Sequence, residues 1–204
     1  MNKSFPLFLA FFIICNLILQ IPSVGWVITK DLKAELKQKN LYAKQHPNDP
    51  EAQFELAITQ GYTNNLIDGM SSLKKVNNID PTFKTKALNV YFKRVLENPN
   101  DWKVRFRMAF VYYFNDKKES AIREFNNVLI LDPYNVWAYG YMALLYGDMG
   151  QIDKAIALTK KGLSIDSNVA ALHLLLGEGY AKKGNGSAAM SERIEAFRLR
   201  ALGY

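Results

Sequence analysis

Residues 136–168 read VWAYGYMALLYGDMGQIDKAIALTKKGLSIDSN. Apolar residues recur three and four positions apart in each half of these residues, and this spacing predicts two amphipathic helices. Gly150 and Gln151 lie between the two halves and favour a turn. Residues 136–168 therefore predict a helical hairpin.

The same 34-residue pattern occurs four times, and 18 inserted residues separate the first copy from the second. Aligned without gaps, the copies begin at Pro50, Trp102, Val136 and Ala170. Each copy has small residues at its eighth and twentieth places, where two helices can approach closely. These residues are Ala57, Ala109, Ala143 and Gly177 at the eighth place, and Gly69, Ala121, Ala155 and Ala189 at the twentieth. Self-similarity with a period of this length predicts a solenoid of stacked hairpins.

Tyrosine at the eleventh place of the last three copies and an Asp-Pro pair at the end of the first two complete the pattern. On these residues the sequence resembles the tetratricopeptide repeat family. The resemblance implies an all-α, right-handed helical solenoid of about four repeats over residues 50–203, built for binding and with no shared catalytic residues. The first repeat has Gln60 in place of tyrosine and Gly69 in place of alanine, so we expect it to be looser than the others.

Two further helices are predicted outside the repeats. Residues 84–97 form an inserted helix with Ala87, Tyr91 and Val95 on its apolar side. Residues 29–46 form an N-terminal helix that we expect to shield the open end of the first repeat, because terminal repeats need a cap.

Residues 1–25 have the layout of an export signal. Lys3 precedes an almost unbroken apolar run, and Pro22, Ser23 and Gly25 follow it, an arrangement that favours cleavage before Trp26. The alternative is a retained anchor, since residues 5–28 are long enough to cross a bilayer. We therefore expect an exported protein, in the periplasm or another extracytoplasmic lumen, or a membrane-anchored one if the leader is retained.

The composition argues against catalysis and metal binding. The chain has one cysteine, inside the leader, and two histidines, neither of which has a plausible nucleophile or metal cluster nearby in sequence. We expect no enzymatic activity and no cofactor. Lys103, Arg105 and Arg107 are interpreted as a solvated helix face, because neither the fold nor the spacing resembles a nucleic-acid module, so no nucleic acid is expected as a partner.

The resemblance implies that the first helix of each repeat lines a concave surface, with the second, fifth, ninth, twelfth and thirteenth places facing into it. This surface is aromatic. The implied partner-binding residues are Phe54, Tyr62, Lys103, Phe106, Phe110, Tyr113, Phe114, Trp137 and Tyr141. The alternative is that several of these aromatic residues pack against neighbouring helices or the inserted helix.

The predicted function is that of a non-catalytic protein–protein interaction scaffold, exported or membrane-tethered, that organises or assembles a larger protein complex through an aromatic concave groove. The alternative is a self-associating structural component that polymerises, or that holds together subunits of a multisubunit enzyme. The last helix motivates this alternative, because it carries apolar Ile194, Phe197 and Leu202 with no helix after it. A third hypothesis is attachment to a membrane surface through the lysine-rich helix at residues 30–44.

Overall fold

The structure, a computed structural model, describes residues 28–202, with the side chain of Ile67 excepted. The predicted signal or anchor at residues 1–25 lies outside this part of the chain. Residues 28–202 form ten α-helices and no strand. The helices are α1 (Lys30–Gln45), α2 (Pro50–Gly61), α3 (Leu66–Ile79), α4 (Phe83–Glu97), α5 (Trp102–Phe114), α6 (Lys118–Leu131), α7 (Val136–Asp148), α8 (Ile152–Ile165), α9 (Ala170–Lys182) and α10 (Gly186–Ala201).

The predicted all-α solenoid is confirmed. Each of the four sequence copies forms a helical hairpin, namely α2–α3, α5–α6, α7–α8 and α9–α10. The last three hairpins stack in order, with α6 on α7 and α8 on α9. The helices predicted at residues 29–46 and 84–97 are α1 and α4, respectively.

The turn inside each hairpin uses the same backbone conformation at the same place. The fifteenth residue of each copy has a positive φ, which is 62° at Asn64, 57° at Asp116, and 75° at both Gly150 and Gly184. Glycine adopts this left-handed conformation without a steric penalty, and Asn and Asp tolerate it better than most residues. The recurrence shows that all four copies, including the divergent first one, form the same hairpin turn.

Small residues allow the two helices of a hairpin to approach closely, as predicted. A Cβ at Gly69 would lie 3.0 Å from the carbonyl oxygen of Ala57, and one at Gly177 would lie 3.1 Å from that of Ala189. Larger side chains at these places would push the helices apart.

Acidic N-caps fix where α2 and α5 begin. Asp49 accepts hydrogen bonds from the backbone N–H groups of Glu51 and Ala52. Asp101 accepts them from Lys103 and Val104. Each cap satisfies two N–H groups that have no partner within the helix.

The inserted helix α4 changes how the first hairpin meets the rest of the solenoid. α4 packs on α5, while α1 packs on α2, and α2 itself contacts α5. The rings of Phe54 and Phe114 are 6.1 Å apart, and those of Tyr62 and Trp102 are 5.2 Å apart. The N-terminal part of α2 therefore lies beside the C-terminal end of α5, and the C-terminal end of α2 lies beside the N-terminal end of α5. The two helices are antiparallel. In a regular two-helix array, the first helices of successive repeats run parallel.

Candidate protein-binding surface

Eight of the nine predicted partner-binding residues, all except Lys103, belong to one hydrophobic cluster, and most of the nine are buried. Phe54, Tyr62 and Phe106 are almost fully buried, and Phe110 and Trp137 are also buried. The half-buried members are Lys103, Tyr113, Phe114 and Tyr141. Contact of these residues with a partner stays a prediction. The half-buried members are accessible to a partner without rearrangement of the helices.

The burial of the aromatic face has a direct cause, because α2 lies on it. Tyr62 of α2 packs edge-on against Phe106, with the ring centroids 5.4 Å apart. Phe106 and Phe110 in turn pack against Tyr141 of α7, at 5.7 and 4.7 Å. Edge-to-face pairs at such distances stabilise a packed core. The aromatic side chains of α5 are therefore largely part of the core between α2, α5 and α7.

Arg107 is the centre of a buried charge network that the sequence interpretation missed. The residue is only 5% exposed. Its guanidinium donates to Glu55 Oε2 at 2.7 Å, to Glu35 Oε1 at 3.1 Å, and to the Tyr62 hydroxyl at 3.1 Å. A further bond runs to the backbone carbonyl of Lys103 at 3.0 Å. The network ties α1 and α2 to α5.

Further ion pairs complete the network around the two carboxylates. Lys39 donates to Glu55 at 2.9 Å, and Lys103 donates to Glu35 at 2.5 Å. Arg94 of α4 pairs with Glu55 and also with Glu51. The inserted helix is thus fixed to α2 by charge as well as by its apolar side.

The interpretation of Lys103, Arg105 and Arg107 as a solvated face is wrong. Arg107 is buried, Lys103 pairs with Glu35, and Arg105 pairs with Glu124 at 3.0 Å. The alignment of the four copies contains one sign of this charge network. The sixth place holds Glu55 in the first copy and Arg107 in the second, two opposite charges on the core-facing side of equivalent helices.

Burial and pairing act in opposite directions on the pKa of Glu55. Burial alone would raise this pKa, but the charges of Arg107 and Lys39 and the hydroxyl of Tyr91 outweigh it and lower the pKa from 4.5 to about 2. Burial also raises the pKa of the Tyr62 and Tyr91 phenols. Glu55 is therefore ionised and Tyr62 and Tyr91 are neutral near neutral pH, which is the state that makes these hydrogen bonds.

An apolar slot remains open beside the covered face. We use this name for a cavity of about 140 Å³ between α7 and α9, bordered by the first residue of α3. Its lining residues are Leu66, Trp137, Gly140, Tyr141, Leu144, Ala171, Leu172 and Leu175. A smaller depression of about 40 Å³ adjoins it and shares Tyr141 and Leu144. The slot is the accessible part of the surface on which the sequence places Trp137 and Tyr141.

Two details mark the edges of the slot. The indole Nε1 of Trp137 is buried and has no hydrogen-bond partner within residues 28–202. At the other edge, the Tyr141 hydroxyl lies over the end of α2, where a Cβ at Gly61 would be only 2.9 Å from it. The first hairpin therefore fits closely against α7.

No metal centre or membrane span is found in the part of the chain that the structure describes. Within it, no group of three or more His, Cys, Asp or Glu side chains could hold a metal ion. His173 pairs with Glu192 at 2.6 Å and lies 3.0 Å from the Ser167 carbonyl oxygen. Among helices α1–α10, none is both long and apolar enough to cross a bilayer.

Comparisons with known proteins agree with this fold. Residues 124–157 match the family model of the tetratricopeptide repeat. A TPR repeat-containing protein of Methanocaldococcus jannaschii is 26% identical over 124 residues, which are 59% of this chain and 21% of that protein. The chain thus spans about a fifth of the length of this relative.

Two solved structures are similar over most of both chains. MamA, residues 41 to the end, from Desulfovibrio magneticus RS-1 superposes with a TM-score of 0.54 at 20% identity, over 84% of this chain and 87% of that one. YrrB, a TPR protein with an unusual peptide-binding site, superposes with a TM-score of 0.52 at 13% identity, over 80% and 92%. These likenesses show the fold, a helical solenoid of tetratricopeptide type.

Proposed function

We propose that the protein is a non-catalytic scaffold that binds a segment of another protein on the concave side of α7 and α9. The observation that carries this proposal is the apolar slot, where apolar side chains of two successive repeats line an accessible cavity. Apolar concave surfaces with a few aromatic side chains are typical of sites that bind protein segments. YrrB, which shares the fold, has a peptide-binding site.

The strongly perturbed titratable groups favour a scaffold over an enzyme. Shifted pKa values often mark catalytic groups, but ion-pair networks also shift them. In this protein Glu55, Arg107 and Tyr91 pair with one another or with adjacent helices. Their perturbation is explained by the contacts that hold α1, α2, α4 and α5 together.

A capture experiment tests the proposal. The full chain and its Leu144→Glu variant are used as bait in an extract of the native cells, and the bound proteins are identified by mass spectrometry. Leu144 is 40% exposed, so the charge enters the slot without disrupting the core. A partner that binds wild type and is lost with Leu144→Glu supports the proposal. The matched control is Met190→Glu, on the exposed face of α10, which should keep the partner. Equal capture by all three proteins would refute binding at the slot.

Export or membrane tethering belongs to the same proposal. The apolar composition of residues 1–25 and the small residues before Trp26 support it. Such a location would place the scaffold beside subunits of an extracytoplasmic or membrane-bound complex. N-terminal sequencing of the native protein tests the cleavage step. A first residue of Trp26 supports a cleaved signal, whereas an intact Met1 in carbonate-washed membranes supports an anchor, and an intact Met1 in the soluble cytoplasmic fraction would refute both.

Self-association is a second candidate because of α10. Met190, Ile194 and Phe197 lie on one side of this helix and are all more than half exposed. An exposed apolar helix face can receive another helix. Sedimentation velocity over a concentration series tests this candidate. Oligomers that disappear with Phe197→Glu support it, and a monomer at every concentration argues against it.

A further inference from the structure

The first hairpin divides the concave face of this solenoid into a closed part and an open part. We propose that the open part, the apolar slot, selects a short protein segment in extended conformation that carries one bulky apolar side chain and a lysine or arginine two residues away. This inference rests on the proposed function and specifies its ligand.

The closed part is the face of α5 around Phe106 and Arg107, which α2 already occupies. Phe54 and Tyr62 of α2 cover opposite ends of α5, and the pair of Arg107 with Glu55 lies between them at 2.7 Å. A buried ion pair that loses one partner leaves an uncompensated charge, which is strongly unfavourable. A ligand therefore cannot reach Phe106 or Arg107 without displacing α2, whereas the slot at α7 and α9 is accessible.

The open part is a composite site, because the hairpin supplies one of its walls. Leu66, the first residue of α3, lines the slot together with Tyr141 of α7 and Leu172 of α9. The close approach of Gly61 to the Tyr141 hydroxyl fixes this wall in place. The site is consequently shorter than the groove that four regular repeats would form.

The size of the slot indicates what it can hold. Small-molecule sites usually measure about 300–1,000 Å³, and the slot, with about 140 Å³, is too small for such a ligand. An apolar cavity of about 150 Å³ holds a single benzene ring. One leucine or phenylalanine side chain is therefore the expected occupant, and the apolar lining rejects a polar one.

A carboxylate beside the slot indicates the charge of the ligand. Asp148 is exposed, and within residues 28–202 it forms no ion pair. Burial raises the pKa of the Tyr113 phenol, in the adjoining depression, and the charge of Asp148 adds to this increase. Leu144 and Asp148 are one turn apart on α7, about 6 Å at the usual helical rise.

This separation sets the spacing in the ligand. Two residues of an extended segment span about 6.6 Å, and their side chains point to the same side. A segment whose apolar side chain lies in the slot beside Leu144 can thus place a lysine or arginine two residues away next to Asp148. The negative charge of Asp148 attracts this cation and repels an acidic residue at the same place, so acidic segments bind less well.

Selection from a random peptide library tests the inference. Phage-displayed twelve-residue peptides are selected on the immobilised full chain, and the most enriched peptide is synthesised with a fluorophore for anisotropy titration. We expect enrichment of a bulky apolar residue and a Lys or Arg two positions apart. Ala171→Trp should fill the slot and weaken binding at least tenfold, whereas Ala157→Trp, on the exposed side of α8, should not. Asp148→Lys should shift the selected charge from basic to acidic.

Several results would overturn the inference about the slot and its ligand, and they can be distinguished from results that would overturn the proposed function. Enriched peptides that bind Ala171→Trp as well as wild type, or that show no charge preference, would refute the slot while leaving protein binding elsewhere intact. A library without enrichment would also refute it. A dimer that disappears with Ala171→Trp in the absence of peptide would identify a second copy as the occupant. The capture experiment alone decides whether the protein has a partner.

Discussion

Arg107→Met is expected to lower the free energy of unfolding at pH 7 by about 3–5 kcal/mol, the range for breaking a buried ion pair by removing one partner. The arginine donates to Glu55, Glu35 and Tyr62 and is only 5% exposed. Methionine fills much of the same volume, so the loss is mainly electrostatic. The two glutamates keep Lys39, Arg94 and Lys103 as partners, which places the loss within this range rather than above it.

The same variant should change the pH dependence of stability. The pKa of Glu55 is lowered from 4.5 to about 2 in the folded protein. A carboxyl whose pKa is depressed by folding contributes stability that is fully present above pH 4.5 and is lost as the pH falls towards 2. A depression of this size corresponds to about 3 kcal/mol. Without Arg107 the pKa of Glu55 rises towards its ordinary value, so less stability remains to be lost on acidification.

Urea unfolding followed by far-ultraviolet circular dichroism at pH 7 and pH 3 measures both effects. The difference between wild type and Arg107→Met should be smaller at pH 3 than at pH 7. The matched control is Arg123→Met, on the exposed side of α6 with one bond to Ser120 at 2.8 Å, which should change stability by no more than about 0.5 kcal/mol. A loss below about 1 kcal/mol for Arg107→Met at pH 7, or an equal loss at both pH values, would refute the role given to the network.

Four further substitutions probe the packing. Gly61→Ala should destabilise by about 1–2 kcal/mol in thermal melts, because its Cβ meets the Tyr141 hydroxyl at 2.9 Å. In a Tyr141→Phe background the same change should instead stabilise by up to about 1 kcal/mol, since alanine is the better helix former; equal effects in both backgrounds would exclude this contact. Phe106→Ala, at a fully buried position, should cost about 3–5 kcal/mol in urea unfolding, and a cost near zero would contradict the core assignment. Asp101→Ala removes the N-cap of α5 and should cost about 1 kcal/mol in the same assay; no loss would mean that water replaces the cap. Phe197→Ser, at a residue 72% exposed, should leave the unfolding free energy of the monomer within about 0.5 kcal/mol, and a larger loss would place this side chain in a packed interface.

The hairpins could be predicted from the sequence because their determinants are local. Small residues at the eighth and twentieth places permit close helix approach whatever lies outside the hairpin, as Gly69 beside Ala57 shows. The turn requires a positive φ at one place, and each copy has Gly, Asn or Asp there. Such features depend on residues within one 34-residue copy, so they recur in each copy and become visible when the copies are aligned.

The accessibility of the aromatic face could not be predicted, because it depends on a contact between distant helices. Aromatic side chains at helical spacing have the same pattern whether a partner or another part of the chain covers them. Phe106 and Phe110 follow the pattern of a groove, yet Tyr62 and Tyr141 pack on them. The opposite charges of Glu55 and Arg107 at equivalent places were the available sign of a contact between α2 and α5.

The inserted helix explains why this contact exists at all. A two-helix repeat returns the chain to its starting direction, so any number of complete repeats keeps the first helices parallel. One additional helix, α4, reverses the direction of everything that precedes it relative to α5. The reversed α2 then presents Phe54, Glu55 and Tyr62 to α5, where the matching partners are Phe114, Arg107 and Phe106. At α7 and α9 the same sixth place holds Tyr141 and Leu175 instead of charged residues, and both of these residues line the apolar slot.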